Sequence, residues 1–289
     1  MLDYHVVDVF TDRAFAGNPL AVVLDADDLS TEQMHALARE FNLSETTFPV
    51  RTSTPGADYR LRIFTPTAEL PFAGHPSVGT AWLLHSIGRL GAGRAVQECG
   101  AGLLPLDVQP HSVTLTGGEP VVGEPVPVDD FCAAVGLTVA DAAGTPVRWA
   151  GTGIEFAYLH LRDEAVARAV PDVARLLPLG HVGVSLFSWR DAEGSGPPVA
   201  HARVLAAGAG VLEDPATGSA ALGLGVWLVA SGLLPGDATS SYVVEQGLEI
   251  GRPSTLSCTV RAEGGRAVET TVSGSVFPVA SGRIAVPRL

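Results

Sequence analysis

The chain has 289 residues, 46% hydrophobic and 17% charged, a globular balance that excludes disorder and fibres. Its 18 basic and 31 acidic residues leave a net charge of −13, which excludes a nucleic-acid backbone as the main partner, because that affinity comes from cations displacing counterions. Lysine is absent, so chemistry that needs a lysine amine, such as a pyridoxal Schiff base or a Walker-type phosphate site, is excluded whatever the compositional cause.

The first half opens with a Val-rich strand over His5–Phe10. Gly17-Asn18-Pro19 signals a turn, and Leu20–Leu24 a short apolar strand. Ser30 with Gln33 three residues on forms a capping box; Met34, Leu37 and Ala38 mark the buried face of the helix, and Asn42 ends it. Ser44-Glu45-Thr46-Thr47-Phe48 leads into a β-branched strand. Tyr59, Leu61 and Ile63 alternate with Arg60 and Arg62 as a half-buried strand. Pro66 to His75 reads as a loop, and a helix from Pro76 to Ile87 ends at Gly88.

The second half repeats this plan. Strands are expected at Phe156–Leu161, Val182–Trp189 and Ala202–Leu205, with a helix over Glu164–Leu177. A long apolar helix from Thr217 to Ala230, closed by Gly232 and preceded by an Asp-Pro cap signal, follows. Its uncharged stretch invites the question of a membrane span, but its glycines and cap favour a buried helix. Pro71-Phe72-Ala73-Gly74-His75 before one helix matches Pro215-Ala216-Thr217-Gly218-Ser219 before the other, and the glycines are 144 apart, half the chain. A duplicated fold follows, with a boundary in the Gly/Pro run around residues 118–124.

A glycine-led helix N-terminus offers unpaired backbone N–H groups and partial positive charge. Two of them facing one cleft make an anion site without lysine, and a small carboxylate is its natural occupant. The ordinary alternative is two capped helices in two similar domains. Glu45, His75 and Asp214 could handle protons there. Equally, Glu45 could be a solvated loop carboxylate, His75 a polar loop residue and Asp214 a helix cap. Gly208-Ala209-Gly210 begins like a dinucleotide fingerprint but lacks the third glycine and the following helix. Cys99, Cys132 and Cys258 are far apart, with no Cys-x-x-Cys or Cys/His cluster, so neither a disulfide framework nor a metal site is expected. No basic segment precedes an apolar run at the N-terminus, so a cytoplasmic protein is expected.

Asp8-Val9-Phe10-Thr11, Gly17-Asn18-Pro19-Leu20-Ala21-Val22-Val23, and Asn42-Leu43-Ser44-Glu45-Thr46 resemble the opening of the PhzF-like phenazine-biosynthesis isomerase family. The most specific stretch runs from Arg62-Ile63-Phe64-Thr65-Pro66 to Glu69-Leu70-Pro71-Phe72-Ala73-Gly74-His75-Pro76. Glu213-Asp214-Pro215-Ala216-Thr217-Gly218-Ser219-Ala220 and Glu245-Gln246-Gly247 through Ser254 complete it. The resemblance implies an α/β fold of the diaminopimelate epimerase type, two similar domains with a sheet wrapped around a central helix in each and the site between them. Domains of 1–118 and 119–289 are expected, with about the last ten residues able to cross back.

The family's function implies an isomerase that moves a proton between carbons of a small, cyclic carboxylic acid, as with a dihydro-hydroxyanthranilate, using no cofactor or metal. The resemblance makes Glu45 the proton carrier. Asp214 and His75 would hold the substrate's polar groups, and amides at Gly74, His75, Gly218 and Ser219, with Ser44 beside Glu45, would complete the substrate site. A homodimer is implied, with no membrane or nucleic-acid partner. Related epimerases place a cysteine before each helix glycine; here those positions are Ala73 and Thr217, so one carboxylate must both take and return the proton. That double duty needs burial that favours the protonated form. The competing readings are a catalytically silent carboxylate-binding protein on the same scaffold and an epimerase without the two cysteines.

Overall fold

The computed structural model describes residues 1–179, 182–192, 194–209 and 211–288; Gly210, the end of the weak glycine motif, lies outside them. These residues form two compact units, 1–116 with 273–289, and 117–272. The chain thus enters the second unit just before the Gly/Pro run and leaves it at Val272, well before the expected return.

The first unit contains strands β1 (Leu2–Val9) and β2 (Asn18–Val23), helix α1 (Thr31–Phe41), and strands β3 (Glu45–Val50), β4 (Tyr59–Phe64) and β5 (Glu69–Leu70). Helix α2 (Gly74–Ser86) and strands β6 (Gly93–Cys99), β7 (Gly102–Val108) and β8 (Val113–Thr116) follow. The capping box forms as expected: Ser30 Oγ accepts from the Gln33 amide and Gln33 returns to the Ser30 amide, while Asn42 closes α1 in the left-handed conformation. Phe10 leaves β1 with φ +66°, one residue before the expected end. β1 lies between antiparallel β2 and the C-terminal strand, Val276–Ile284. β2 and β3 are parallel, β3 and β4 antiparallel, β4 and β6 parallel, and β6, β7 and β8 antiparallel.

The second unit runs β9 (Val121–Val122), α3 (Asp129–Ala134), β10 (Arg148–Gly151), β11 (Glu155–His160), α4 (Asp163–Arg168), α5 (Val173–Leu176) and β12 (Val184–Arg190). Then come β13 (Val199–Ala206), β14 (Val211–Asp214), α6 (Gly218–Ala230), β15 (Thr239–Gln246), β16 (Ser254–Glu263) and β17 (Arg266–Gly274). The same succession of pairings recurs. β9, β10 and β11 are antiparallel, β11 and β12 parallel, β12 and β13 antiparallel, β13 and β15 parallel, and β15 and β16 antiparallel. The duplication is therefore a repeat of hydrogen-bonded order as well as of motif.

The sequence places the helix boundaries less well. The expected helix over Glu164–Leu177 is two short helices, α4 and α5. Pro171 removes a donor and disfavours helical backbone at Val170, whose amide bonds Val135 O instead. Asp172 then starts α5 by accepting from the Ala174 amide at 3.0 Å. α2 begins at Gly74 rather than Pro76, so Gly74 and His75 belong to the helix, not the loop. Proline is tolerated in this first turn because its missing N–H would have no intrahelical acceptor.

Each unit wraps its sheet around one central helix: α2 packs on β1, β2, β3, β7 and β8, and α6 on β9, β10, β11 and β16. α6 is buried on all faces from Gly218 to Val229, with Trp227 fully enclosed. At 13 residues it spans about 20 Å, short of a hydrocarbon core of about 30 Å. Among the described residues no helix is long and apolar enough to cross a membrane. Glycine lets the sheet close on the helix. A Cβ at Gly79 would come within 2.7 Å of Val9 Cγ2 and 2.8 Å of Leu20 Cδ2. One at Gly223 would overlap the Tyr158 hydroxyl, which donates to Ala220 O at 2.7 Å.

Helix propensity alone makes Gly223→Ala stabilising by about 1 kcal/mol. The closed packing reverses the sign: we expect a loss of about 1–3 kcal/mol, read as a lower denaturant midpoint. A raised midpoint would refute the close-packed account of α6.

Candidate active site

Glu45 opens β3 rather than sitting in a loop, and the parallel pairing sets it beside Leu20 of β2. Its side chain, 16% exposed, reaches the first turn of α2, where Oε2 lies 3.6 Å from His75 Nε2. His75 is 5% exposed, and burial pushes its pKa down to about 3. The ring is therefore neutral in the physiological range, and the contact is an imidazole beside a carboxyl group rather than an ion pair. The Asn18 side-chain nitrogen lies 3.2 Å from His75 Nδ1. Asn18 is fully buried at the start of β2.

The loop before α2 is held from outside and inside. Arg62 of β4 clasps Glu69 of β5 with two hydrogen bonds, 2.8 and 2.7 Å. On the buried side, Tyr59 donates to Gln97, Gln97 to Ser77 and Ser77 to Ala73 O, at 2.9 Å each. Ala73 is the N-cap and has no side chain to fold over the first turn. The Gly74 and His75 amides therefore face no cap from within their own helix.

The second unit reaches a comparable helix start by other means. Asp214 is the last residue of β14, and the N-cap of α6 is Thr217, which corrects the expected Asp-Pro cap. The Thr217 hydroxyl is turned away from the first turn and donates to Asp214 Oδ2 at 2.5 Å. Buried Gln246 accepts from the Thr217 amide at 3.1 Å and donates to Asp214 O at 2.7 Å. Gly247, with φ +77°, allows this, since a Cβ there would overlap Arg252 O. One residue upstream, Glu213 pairs with buried Arg203 at 2.8 Å, and Arg203 also donates to Val166 O and Ala169 O. Gly218 and buried Ser219 open the uncapped first turn of α6.

The first unit thus brings together Glu45, His75 and Gly74, with half-buried Ser44 adjoining Glu45 in the chain. Asp214, Gly218 and Ser219 gather in the second unit. Sequence reasoning passed over Asn18 and Gln246. Asn18 was part of a turn signal, although a polar residue leading an apolar strand was the available clue. Gln246 stood inside a recognised motif but without a role. The cysteines lie in the core, and burial pushes Cys258 up to about 12. Among the described residues, no three His, Cys, Asp or Glu side chains are placed to hold a metal ion.

A family model described as phenazine biosynthesis-like protein matches residues 7–282. The chain belongs to this family. It is 34% identical over 303 residues to an uncharacterized isomerase of Mesorhizobium japonicum, covering 98% of both chains. It is 33% identical over 293 residues to trans-2,3-dihydro-3-hydroxyanthranilate isomerase of Pseudomonas aeruginosa, covering 97% of this chain and 98% of that one. The solved structure of a Bacillus anthracis family member superposes with a TM-score of 0.87 at 24% identity, over 99% of each chain. This phenazine biosynthesis-like protein is an isomerase, and its fold is of the diaminopimelate epimerase type.

The buried imidazole has a measurable consequence in this family member. Unfolding restores an ordinary histidine of pKa 6.5, so between about pH 3 and 6.5 the unfolded chain binds a proton that the native chain does not. The stabilisation is full above 6.5 and is lost as pH falls toward 3, by up to about 1.4 kcal/mol per pH unit. We expect His75→Gln to flatten the rise of stability with pH in denaturant unfolding over this window. Parallel curves for the two proteins would mean that His75 is not held neutral.

Proposed function

We propose that this protein is a cofactor-independent isomerase that moves a proton between carbons of a small cyclic carboxylic acid, with Glu45 as both base and acid. The observation that carries the reading is the half-shielded Glu45 carboxyl group beside a neutral, buried imidazole at an uncapped helix start. A carboxylate here can take a proton from an acidic C–H and, once protonated, deliver it to another carbon of the same molecule. His75 stays neutral and orients polar groups rather than competing for the proton. The first-turn amides at Gly74 and His75 would hold the substrate carboxylate through hydrogen bonds and helix polarity. By family resemblance Ser44 belongs to the site beside Glu45, and Asp214, Gly218 and Ser219 are proposed to hold polar groups of a substrate at the start of α6.

Trans-2,3-dihydro-3-hydroxyanthranilate is the first substrate to test, because relatives at about a third identity are named for it. A place in secondary metabolism, a cytoplasmic location and a homodimer belong to the same proposal and rest on family resemblance. The N-caps argue for one acid/base group over two thiols, since Ala73 and Thr217 stand where related epimerases carry cysteine.

The test is turnover of this substrate in heavy water by the native protein and by Glu45→Gln. The native protein should isomerise it and place deuterium on carbon. The variant should keep its fold and bind the substrate with turnover reduced about 10²–10⁴-fold. Near-native turnover by the variant would remove Glu45 from the reaction, and binding with neither isomerisation nor carbon exchange by the native protein would identify a silent binder.

A further inference from the structure

We propose that Asn18 is a positioning residue that fixes the tautomer of His75: its side-chain amide donates to Nδ1, so that Nε2 carries the ring proton and points it at Glu45. A neutral imidazole has one N–H and one bare nitrogen, and the hydrogen bond made by one nitrogen decides the state of the other. The Asn18 Nδ2 group can only donate, and it lies 3.2 Å from His75 Nδ1. In this arrangement Nδ1 is the acceptor. Nε2, buried and without a hydrogen-bond partner among the described residues, is left as the donor, 3.6 Å from Glu45 Oε2. Asn18 and His75 are both buried, which strengthens their hydrogen bond against competition from water.

The backbone aims the amide. Gly17 enters β2 with φ +65°, where a Cβ would overlap Val9 O. Antiparallel pairing then sets Asn18 opposite Val9 of β1, and β1 and β2 both pack on α2. The polar side chain is thereby presented to the first turn of the helix from within an apolar sheet.

The consequence for turnover rests on the proposed function. With Nε2–H toward Glu45, the imidazole favours the carboxylate form, which is the base. With the opposite tautomer, an Nε2 lone pair would face the carboxyl oxygens, favouring a Glu45 that already holds a proton and cannot accept another. The separation of 3.6 Å is longer than a formed hydrogen bond, as is common before substrate tightens a site.

Long-range nitrogen–proton correlation spectra of ¹⁵N-histidine-labelled native protein, with His75→Gln to assign the ring, read the tautomer directly. We expect a protonated Nε2 and a bare Nδ1. Asn18→Asp, which offers an acceptor in place of the donor, should put a proton on Nδ1 and lower kcat about 10²-fold or more, with a smaller change in KM. A proton on Nδ1 in the native protein would overturn the inference, as would a folded variant with Nδ1 protonated and native kcat. Should the variant not fold, the native spectrum alone decides. A native Nε2–H in a protein that does not isomerise the test substrate would count against the functional reading and leave the tautomer assignment standing.

Discussion

A helix enclosed along its sides by its own sheet leaves polar chemistry only its ends, and the first turn is the end that presents backbone donors. That constraint organises this protein. Small residues admit the sheet to the helix surface: Gly79 in α2, and Gly223 with Gly225 in α6. Once the sides are sealed, the helix starts at Gly74 and Gly218 remain, and the polar groups beside them, which meet His75 and Thr217, come from strand ends. In the first unit these are Asn18 at the head of β2 and Glu45 at the head of β3. In the second they are Asp214 at the end of β14 and Gln246 at the end of β15.

The same enclosure sets the character of the titratable groups. An exposed His75 would switch its charge near neutrality; a buried one remains uncharged down to about pH 3. A ring held neutral by burial is a weak base, so in the proposed reaction it orients polar groups rather than carrying the proton. The three cysteines are buried in the core, and none is the N-cap of a central helix. The N-caps of the two central helices are Ala73 and Thr217, neither of them a thiol.

Much of the architecture was legible because it is written in local chemistry. Ser30 and Gln33 announce α1, and the Pro-x-x-Gly repeat announces both central helices and the duplication. The apolar spacing of Glu164–Leu177 is helical while Pro171 forbids continuity; the proline wins and two short helices result. The start of α2 was placed late because proline in a first turn looks like a boundary. The strands after Gly232 carry few local markers, so their pairing emerges only from tertiary structure. For the candidate site, residue identities were readable and their company was not. Glu45 meets His75 through parallel pairing of β2 with β3 and packing of α2 on both, contacts that no sequence spacing encodes. Asn18 and Gln246 escaped for the same reason, since each acts on a residue remote in sequence, at 57 and 29 positions.

The central claim is that one carboxyl group removes a hydrogen and returns it. The most direct measurement uses substrate deuterated at the carbon that loses hydrogen, turned over once in ordinary water, with mass spectrometry of the product. Return by Glu45 predicts deuterium at the receiving carbon in a measurable fraction of the product. A product carrying only solvent hydrogen there would contradict direct return of the hydrogen by Glu45.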